Sequence, residues 1–330
     1  MGSGDFNDQV ISDSSMAASP VVSRSWRQLW GRWVKEPYGS LVNRIERLRF
    51  PKLWSNQLNS DDANISISRL LQEKQPFLVG RIGHTEGRIL GEYLFRNRRY
   101  SRLTRKEAHQ FSGIFPVAPE LLDCFAEIYG GAIANSDLLG FWQTAFQAQL
   151  LSVQYPTIPI TSLSALEPYL HVSPWSANLA GLRVVVVHPF AQSIITQYTT
   201  KRVSLFTDQR VLPQFSLQVV APPQTLAPLT GGFTDWLLAY QDLVSRVLER
   251  EFDVALLGCG AYGLPLGAAI KASGRQAIHL GGALQILFGI RGKRWDQLPM
   301  IAALMNDHWV RPAFEETPIS ASRVDGACYW

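Results

Sequence analysis

Residues 252–295 read FDVALLGCGAYGLPLGAAIKASGRQAIHLGGALQILFGIRGKRW, and the fold is decided there. Val254 to Leu257 is a short apolar run of the kind that makes a buried strand. It breaks at Gly258-Cys-Gly-Ala-Tyr-Gly263, where three glycines let the backbone turn tightly and approach a ligand. Leu264 to Ser273 has the Leu, Ala and Ile content of a helix, with Gly274 placed to stop it. A second run, Gln276 to Leu280, ends in the pair Gly281-Gly282. This is a strand, a Gly-rich turn, a helix and a strand, and the loops of such a unit are where a phosphate-bearing ligand sits.

The flanking segments continue the alternation. Gly181 to Phe190 is the clearest strand, four consecutive valines ending in His188-Pro189. A continuous β-branched run fits the interior of a parallel sheet, and His188 stands where that strand releases the chain. Phe233 to Arg250 is amphipathic, with Trp236, Leu237, Tyr240, Leu243, Val244 and Val247 on its apolar stripe. Further upstream, Pro76 to Gly80 reads as a strand and Glu86 to Arg96 as a helix, joined by Arg81-Ile-Gly-His-Thr-Glu86. Asp137 is an acid between apolar segments, a turn residue or part of a site. Helices are also expected over 60–71, 121–134, 163–171, 192–200 and 298–306, and a strand over 215–221. The pattern predicts an α/β, Rossmann-like fold with a mostly parallel sheet flanked by helices.

At 330 residues the chain can bury a full core, and no apolar run approaches the roughly 20 residues needed to span a bilayer. The organisation expected is a disordered lead over 1–22, a basic, Trp-rich amphipathic arm over 23–56 and a single α/β domain over 57–330. In the arm, Trp26, Leu29, Trp30 and Trp33 share one helical face, while Arg24, Arg27, Arg32 and Lys35 populate the remainder. That face suits either an anionic membrane surface, through residues 23–36, or docking onto the parent domain or a partner subunit. Eight basic and five acidic side chains fall in residues 1–53, so most of the net +4 belongs there. The near-neutral body argues against nucleic acid as a partner. The polar first 20 residues lack a signal-peptide core, and the three cysteines, Cys124, Cys259 and Cys328, form no CxxC pair. A cytoplasmic protein is expected, peripheral at the inner membrane face if the arm binds lipid.

Gly258-x-Gly260-x-x-Gly263 matches a dinucleotide fingerprint in form, but NAD is not expected. The following strand ends in His279 rather than in an acid for a ribose hydroxyl. Only 67 residues follow Gly263, too few for the second half of a dinucleotide fold. The same turn can hold the diphosphate of a sugar nucleotide, because amides and helix dipole do not depend on what the phosphate carries. Gln285, Arg291, Lys293, Arg294 and Trp295 follow closely: cations to neutralise phosphate and a flat face for a base or sugar, or else a solvated basic loop around one buried tryptophan.

Phe77-Leu-Val-Gly-Arg-Ile-Gly-His-Thr-Glu86 resembles the Arg-aromatic-Gly-Asp-Gly-Glu segment of glycosyltransferases with the GT-D fold, which include the DUF1792 group. The stretch from Ala255 to Gly282 resembles their second signature, a Gly-rich turn followed by a strand ending in Asp-x-Gly. Over about 57–330, GAYGLPL, AIHLGG and the final CYW are similar to a branch of uncharacterised bacterial proteins of surface-polysaccharide loci. The resemblance implies a glycosyltransferase using a nucleotide-sugar donor and a glycan or lipid-linked acceptor in cell-envelope polysaccharide or glycoconjugate assembly. Position by position, Arg81, Gly83 and Glu86 match the first signature, while His84 and His279 stand where the family has aspartates. A Mn²⁺ or Mg²⁺ ion on Glu86 and His84 is the family's route. A neutral imidazole in place of a carboxylate weakens such a site. The donor is then expected against Arg81, Gly83, His84, Gly258, Gly260, Tyr262, Gly263, His279, Gly281, Gly282, Arg291, Lys293, Arg294 and Trp295. The catalytic candidates are Asp137, His188 and Glu86. Two alternatives stay open: a non-catalytic nucleotide- or sugar-binding scaffold or regulator of polysaccharide biosynthesis, and a nucleotide-dependent enzyme of another class, such as a methyltransferase.

Overall fold

The computed structural model describes residues 46–142, 144, 146–226, 228–317 and 329–330. The lead over 1–22, the arm up to residue 45 with its tryptophans, and Cys328 lie outside the described residues.

Seven strands form one sheet in which every pairing is parallel. They are β1 (Phe77–Arg81), β2 (Leu138–Phe141), β3 (Ile160–Ser162), β4 (Arg183–Val187), β5 (Ser216–Val220), β6 (Val254–Leu257) and β7 (Gln276–His279), in the order β3-β2-β1-β7-β6-β4-β5. The main helices are α1 (Pro51–Ser55), α2 (Ser60–Glu73), α3 (His84–Phe95), α4 (Arg102–Phe111), α5 (Pro119–Ala134), α6 (Ala191–Leu205), α7 (Trp236–Leu248) and α8 (Gly263–Ala272).

The valine run shows why the sheet is central. Val185 and Val187 face one core layer, with α3, α5, α7 and α8, while Val184 and Val186 face the other, with α2 and α6. Both faces are covered, so alternate positions are equally apolar and the run is continuous rather than patterned. β6 behaves in the same way, with Ala255 and Leu257 in the first layer and Val254 and Leu256 in the second.

Helix starts follow from short polar caps. Asn59 accepts the Asp62 amide at 2.9 Å to open α2, and Asp235 accepts that of Leu238 at 2.9 Å to open α7. Two expected helices are not formed as such. Residues 163–171 split into two 3-10 turns, Ser164–Leu166 and Pro168–Leu170, because Pro168 cannot donate to the preceding turn. Of 298–306 only Pro299–Ala302 is helical. No helix of the described residues is long and apolar enough to cross a membrane.

Candidate functional site

β4 and β6 are neighbours, yet the chain leaves them over opposite faces: α6 carries it to β5 in one layer and α8 to β7 in the other. Diverging connections open a crevice at the carboxyl ends of such strands, the place where open α/β sheets bind ligands. A cleft of about 810 Å³, counting its open mouth, lies there. The loops after β4 and β6, His188 to Phe190 and Gly258 to Tyr262, line it. So do Pro222 to Leu226 after β5, Phe111 and Ser112, and the aromatic pair Tyr329-Trp330.

Gly258 lets the loops meet. A methyl on its α-carbon would lie 2.5 Å from Cδ2 of His188 and 2.9 Å from the Gly281 carbonyl oxygen, and the latter is backbone that cannot swing away. Gly263, which opens α8, is equally constrained: its methyl would lie 2.1 Å from Cε1 of His279. His279 is buried and donates from Nδ1 to the Leu257 carbonyl at 3.1 Å. Burial, with Arg81 nearby, pushes its pKa down to about 3. It is a neutral wedge that sets the start of α8, and it does not line the cleft.

The cleft carries no charged side chain among the described residues. His188 is 2% exposed, and its Nδ1 accepts the Phe190 amide at 3.0 Å. The ring proton therefore resides on Nε2, which no described group bonds. Burial pushes the pKa down to about 3, so the ring is a neutral donor. This geometry does not suit the general-base role considered for His188, since the lone pair is the one already engaged. Gln285 is fully buried; its Nε2 donates to the carbonyls of Ile290 (3.2 Å) and Tyr329 (3.1 Å), while its Oε1 has no partner. Tyr262 stacks on Trp236 with centroids 5.3 Å apart and shares a 2.9 Å hydrogen bond with Thr225. A donor and an acceptor among aromatic faces can hold a flat, uncharged, heteroatom-bearing ring.

The charges are at the end of β1 and in the loop after β3. The Arg81 guanidinium lies 5.6 Å from the Trp142 ring centroid, and a methyl on Gly281 would be 3.1 Å from its Nη1. Thus Arg81, the Gly281-Gly282 turn, Gly258 and His188 follow one another across the edge. Trp142 is fixed by its indole N–H, which donates to the Ile82 carbonyl at 3.1 Å. Glu167, in the loop after β3, accepts from the Tyr169 hydroxyl at 2.9 Å. Burial pushes its carboxyl up to about 6, against the opposing pull of that hydrogen bond and of Arg81. A carboxyl poised near neutrality can accept a proton.

Glu167 is the residue that sequence reasoning missed. The only signal was its place before Pro168, which holds it extended (φ −88°, ψ 105°) and ends the expected helix. Asp137, placed first among the catalytic candidates, does not join the cleft. It immediately precedes β2, at the opposite edge of the sheet, where its Oδ2 accepts from the Leu78 amide (2.8 Å) and Lys271 Nζ (2.7 Å). Glu86 folds back over the start of its own helix: a methyl on Gly83, the N-cap, would lie 1.9 Å from its Oε2. The basic segment is also dispersed. Arg291 pairs with Asp296 at 3.3 Å, Lys293 is exposed, and Trp295 is buried with its indole N–H unpartnered. Arg294 alone reaches the cleft, indirectly, by lying 4.9 Å from the Tyr329 ring centroid and donating to its hydroxyl at 3.2 Å. Gly282 packs against that ring: a methyl on it would lie 2.3 Å from Tyr329 Cε1.

The ion implied by the resemblance would need His84 and Glu86 to converge. They are two apart on α3 and so leave the helix on different faces. His84 Nε2 already accepts from Arg88 Nη2 at 2.9 Å, and Arg88 pairs with Glu107 at 2.7 Å. Burial, and then Arg88, lower the His84 pKa. Among the described residues no group of three or more His, Cys, Asp or Glu is arranged for a metal. An engaged imidazole and a carboxylate folded over its own helix do not make the hard oxygen set that Mg²⁺ or Mn²⁺ prefers. The residues present do not fit the ion.

No family model matches the chain, and no curated protein matches it. Two solved structures resemble it. One is a selenomethionine-substituted domain of unknown function 1792, 12% identical, with a TM-score of 0.43 over 72% of this chain and 82% of that one. The other is described as the domain of unknown function 1792 with a distinct glycosyltransferase fold, 13% identical, with a TM-score of 0.42 over 71% of this chain and 82% of that one. At these values the likeness is too distant to say anything of the site.

Proposed function

We propose that the chain is a glycosyltransferase that takes a nucleotide-sugar donor along the carboxyl edge of its sheet, in the assembly of a cell-envelope polysaccharide or glycoconjugate. The observation that carries this reading is the division of that edge: an uncharged aromatic cleft at the β4/β6 crevice adjoins a half that holds Arg81 and Glu167. The sequence resemblance at Arg81 to Glu86 and Gly258 to Gly282 supports it. The base lies in the cleft, bonded by His188 Nε2–H and Gln285 Oε1. The diphosphate passes over the Gly281-Gly282 turn to Arg81, which places the sugar before Glu167.

Glu167 takes the proton of the acceptor hydroxyl as its oxygen attacks the anomeric carbon. The bond from that carbon to the diphosphate oxygen breaks, and the departing charge is balanced by Arg81. This is a single displacement with inversion. Titration of the intact protein with UDP- and GDP-sugars by calorimetry, with and without Mn²⁺, tests the reading. Binding of a sugar nucleotide that does not depend on the ion is expected, and no binding of any nucleotide sinks it.

A second reading has its own support. Both positions where the resembling enzymes carry aspartate hold histidines engaged in structural contacts, His84 with Arg88 and His279 beneath α8. A non-catalytic sugar- or nucleotide-binding scaffold would look the same. Turnover separates them: a bound sugar nucleotide that is never hydrolysed or transferred favours the scaffold.

A further inference from the structure

A second cavity lies far from this edge, beside the first residue of the outermost strand β3, and it stands independently of the reading above. It measures about 850 Å³, counting its open mouth. Its walls come from the start of α1, from the loop before β3 and from a π-helical turn, Leu150–Gln154. Most of the lining is apolar, including Phe50, Leu53, Leu151, Ile158 and Ile160. Three features separate it from an ordinary packing defect. Arg49 and Lys52 line it, both exposed, and no acidic residue does. Neither cation forms an ion pair among the described residues; Arg49 rests against the Phe50 ring with its guanidinium 5.3 Å from the centroid. Ser152 also lines the cavity, and its hydroxyl oxygen is buried without a partner.

The surroundings of the mouth are equally unusual. Leu48 is 77% exposed and Val153 58%, and Arg47 lies on the Trp54 ring at 4.8 Å. Cations interleaved with exposed apolar side chains around an apolar hole match one chemistry. A headgroup with negative charge meets the rim, a hydrocarbon chain enters the hole, and Leu48 and Val153 face the acyl boundary. A free inorganic anion would use the rim and leave the walls dry. We propose that this cavity binds the phosphate headgroup and one acyl chain of an anionic membrane lipid, so that the protein is held at a bilayer through the end of the sheet remote from its candidate site.

The test uses the full chain and dihexanoyl phosphatidic acid at monomeric concentration, followed by calorimetry. Inorganic phosphate and glycerol 3-phosphate serve as headgroup-only probes and 1-octanol as a chain-only probe. One saturable site for the lipid is expected, with each half-probe at least tenfold weaker. The double variant Arg49→Glu/Lys52→Glu, which changes only exposed side chains, is expected to weaken the lipid at least tenfold with an unchanged melting temperature. Ser152→Leu, which fills the cavity, is expected to weaken the lipid while leaving the headgroup-only probes unaffected. Vesicle partitioning then identifies the source: phosphatidylglycerol vesicles bind, phosphatidylcholine vesicles bind less, and the charge-reversed variant loses the difference. Wild-type affinity in that variant overturns the proposal, as does phosphate binding alone as tightly as the lipid. Octanol binding with lipid-like affinity reduces the site to an apolar cavity and overturns it as well.

Discussion

The two halves of the sheet's carboxyl edge are built on different principles. In the β4/β6 half, two buried histidines and three close-packed glycines produce shape with no charged side chain among the described residues: His188 and His279 are neutral, and His188 Nε2–H and Gln285 Oε1 are without partners. In the β1/β3 half, Arg81, Arg88, Glu107 and Glu167 supply charge. The difference teaches that the glycine-rich loop contributes shape and the other half contributes charge, and under the proposed function the first would bind by fit and the second would carry the chemistry.

The sharpest way to break this division is Glu167→Gln. Transfer is expected to fall by roughly two to four orders of magnitude, as for a lost general base, with nucleotide affinity unchanged. In the wild type the acidic limb of the pH–rate profile should lie near 6, where Glu167 loses its proton, and the variant should lack it. An unchanged profile would remove Glu167 from the mechanism. Next in size is Arg81→Ala. Losing a charge-assisted contact of about 1.5–3 kcal/mol corresponds to roughly ten- to a hundredfold in affinity for the nucleoside diphosphate, while the free nucleoside is unaffected. Calorimetry with both ligands reads this directly.

The other half should respond in stability. Gly263→Ala places a methyl on the His279 ring and is expected to cost about 1–3 kcal/mol in chemical denaturation. Acid should act there too. Both histidines titrate near 3 when folded, against about 6.5 when unfolded, so below 6.5 the unfolded chain binds more protons. Stability is therefore full above that pH and falls as pH drops towards 3, with a slope of about 1.4 kcal/mol per unit for each histidine. His279→Gln should remove its share of the slope. Smallest of all, Lys293→Ala should change nucleotide affinity less than about twofold, because an exposed lysine outside the cleft contributes little.

Most of the fold was legible. A run such as Val184 to Val187 has few homes other than a doubly covered strand, and the apolar stripe from Trp236 to Val247 marks its helix, although the cap Asp235 that starts it was not singled out. β2 and β3 were less so, being only four and three residues long, with little in composition to separate them from loops. In the candidate site, close approach of the loops was legible where backbone geometry demanded a residue type, as at Gly258 and Gly263. It was not legible where a side chain's role depends on its partners. Asp137 looked like a site acid until Lys271, distant in sequence, paired with it. Glu167 acquired its shifted carboxyl from burial that no local pattern encodes.

The sheet order has a consequence for synthesis. β7 sits between β1 and β6, and it pairs Ile278 with Val79, roughly 200 residues earlier in the chain. Until Gln276 to His279 leave the ribosome, β1 and β6 have no shared neighbour, and their hydrogen-bonding edges stay open. The two halves of the carboxyl edge therefore become one surface only after β7 has emerged. A chain stalled before β7 would present two unpaired parallel edges, a substrate for chaperones.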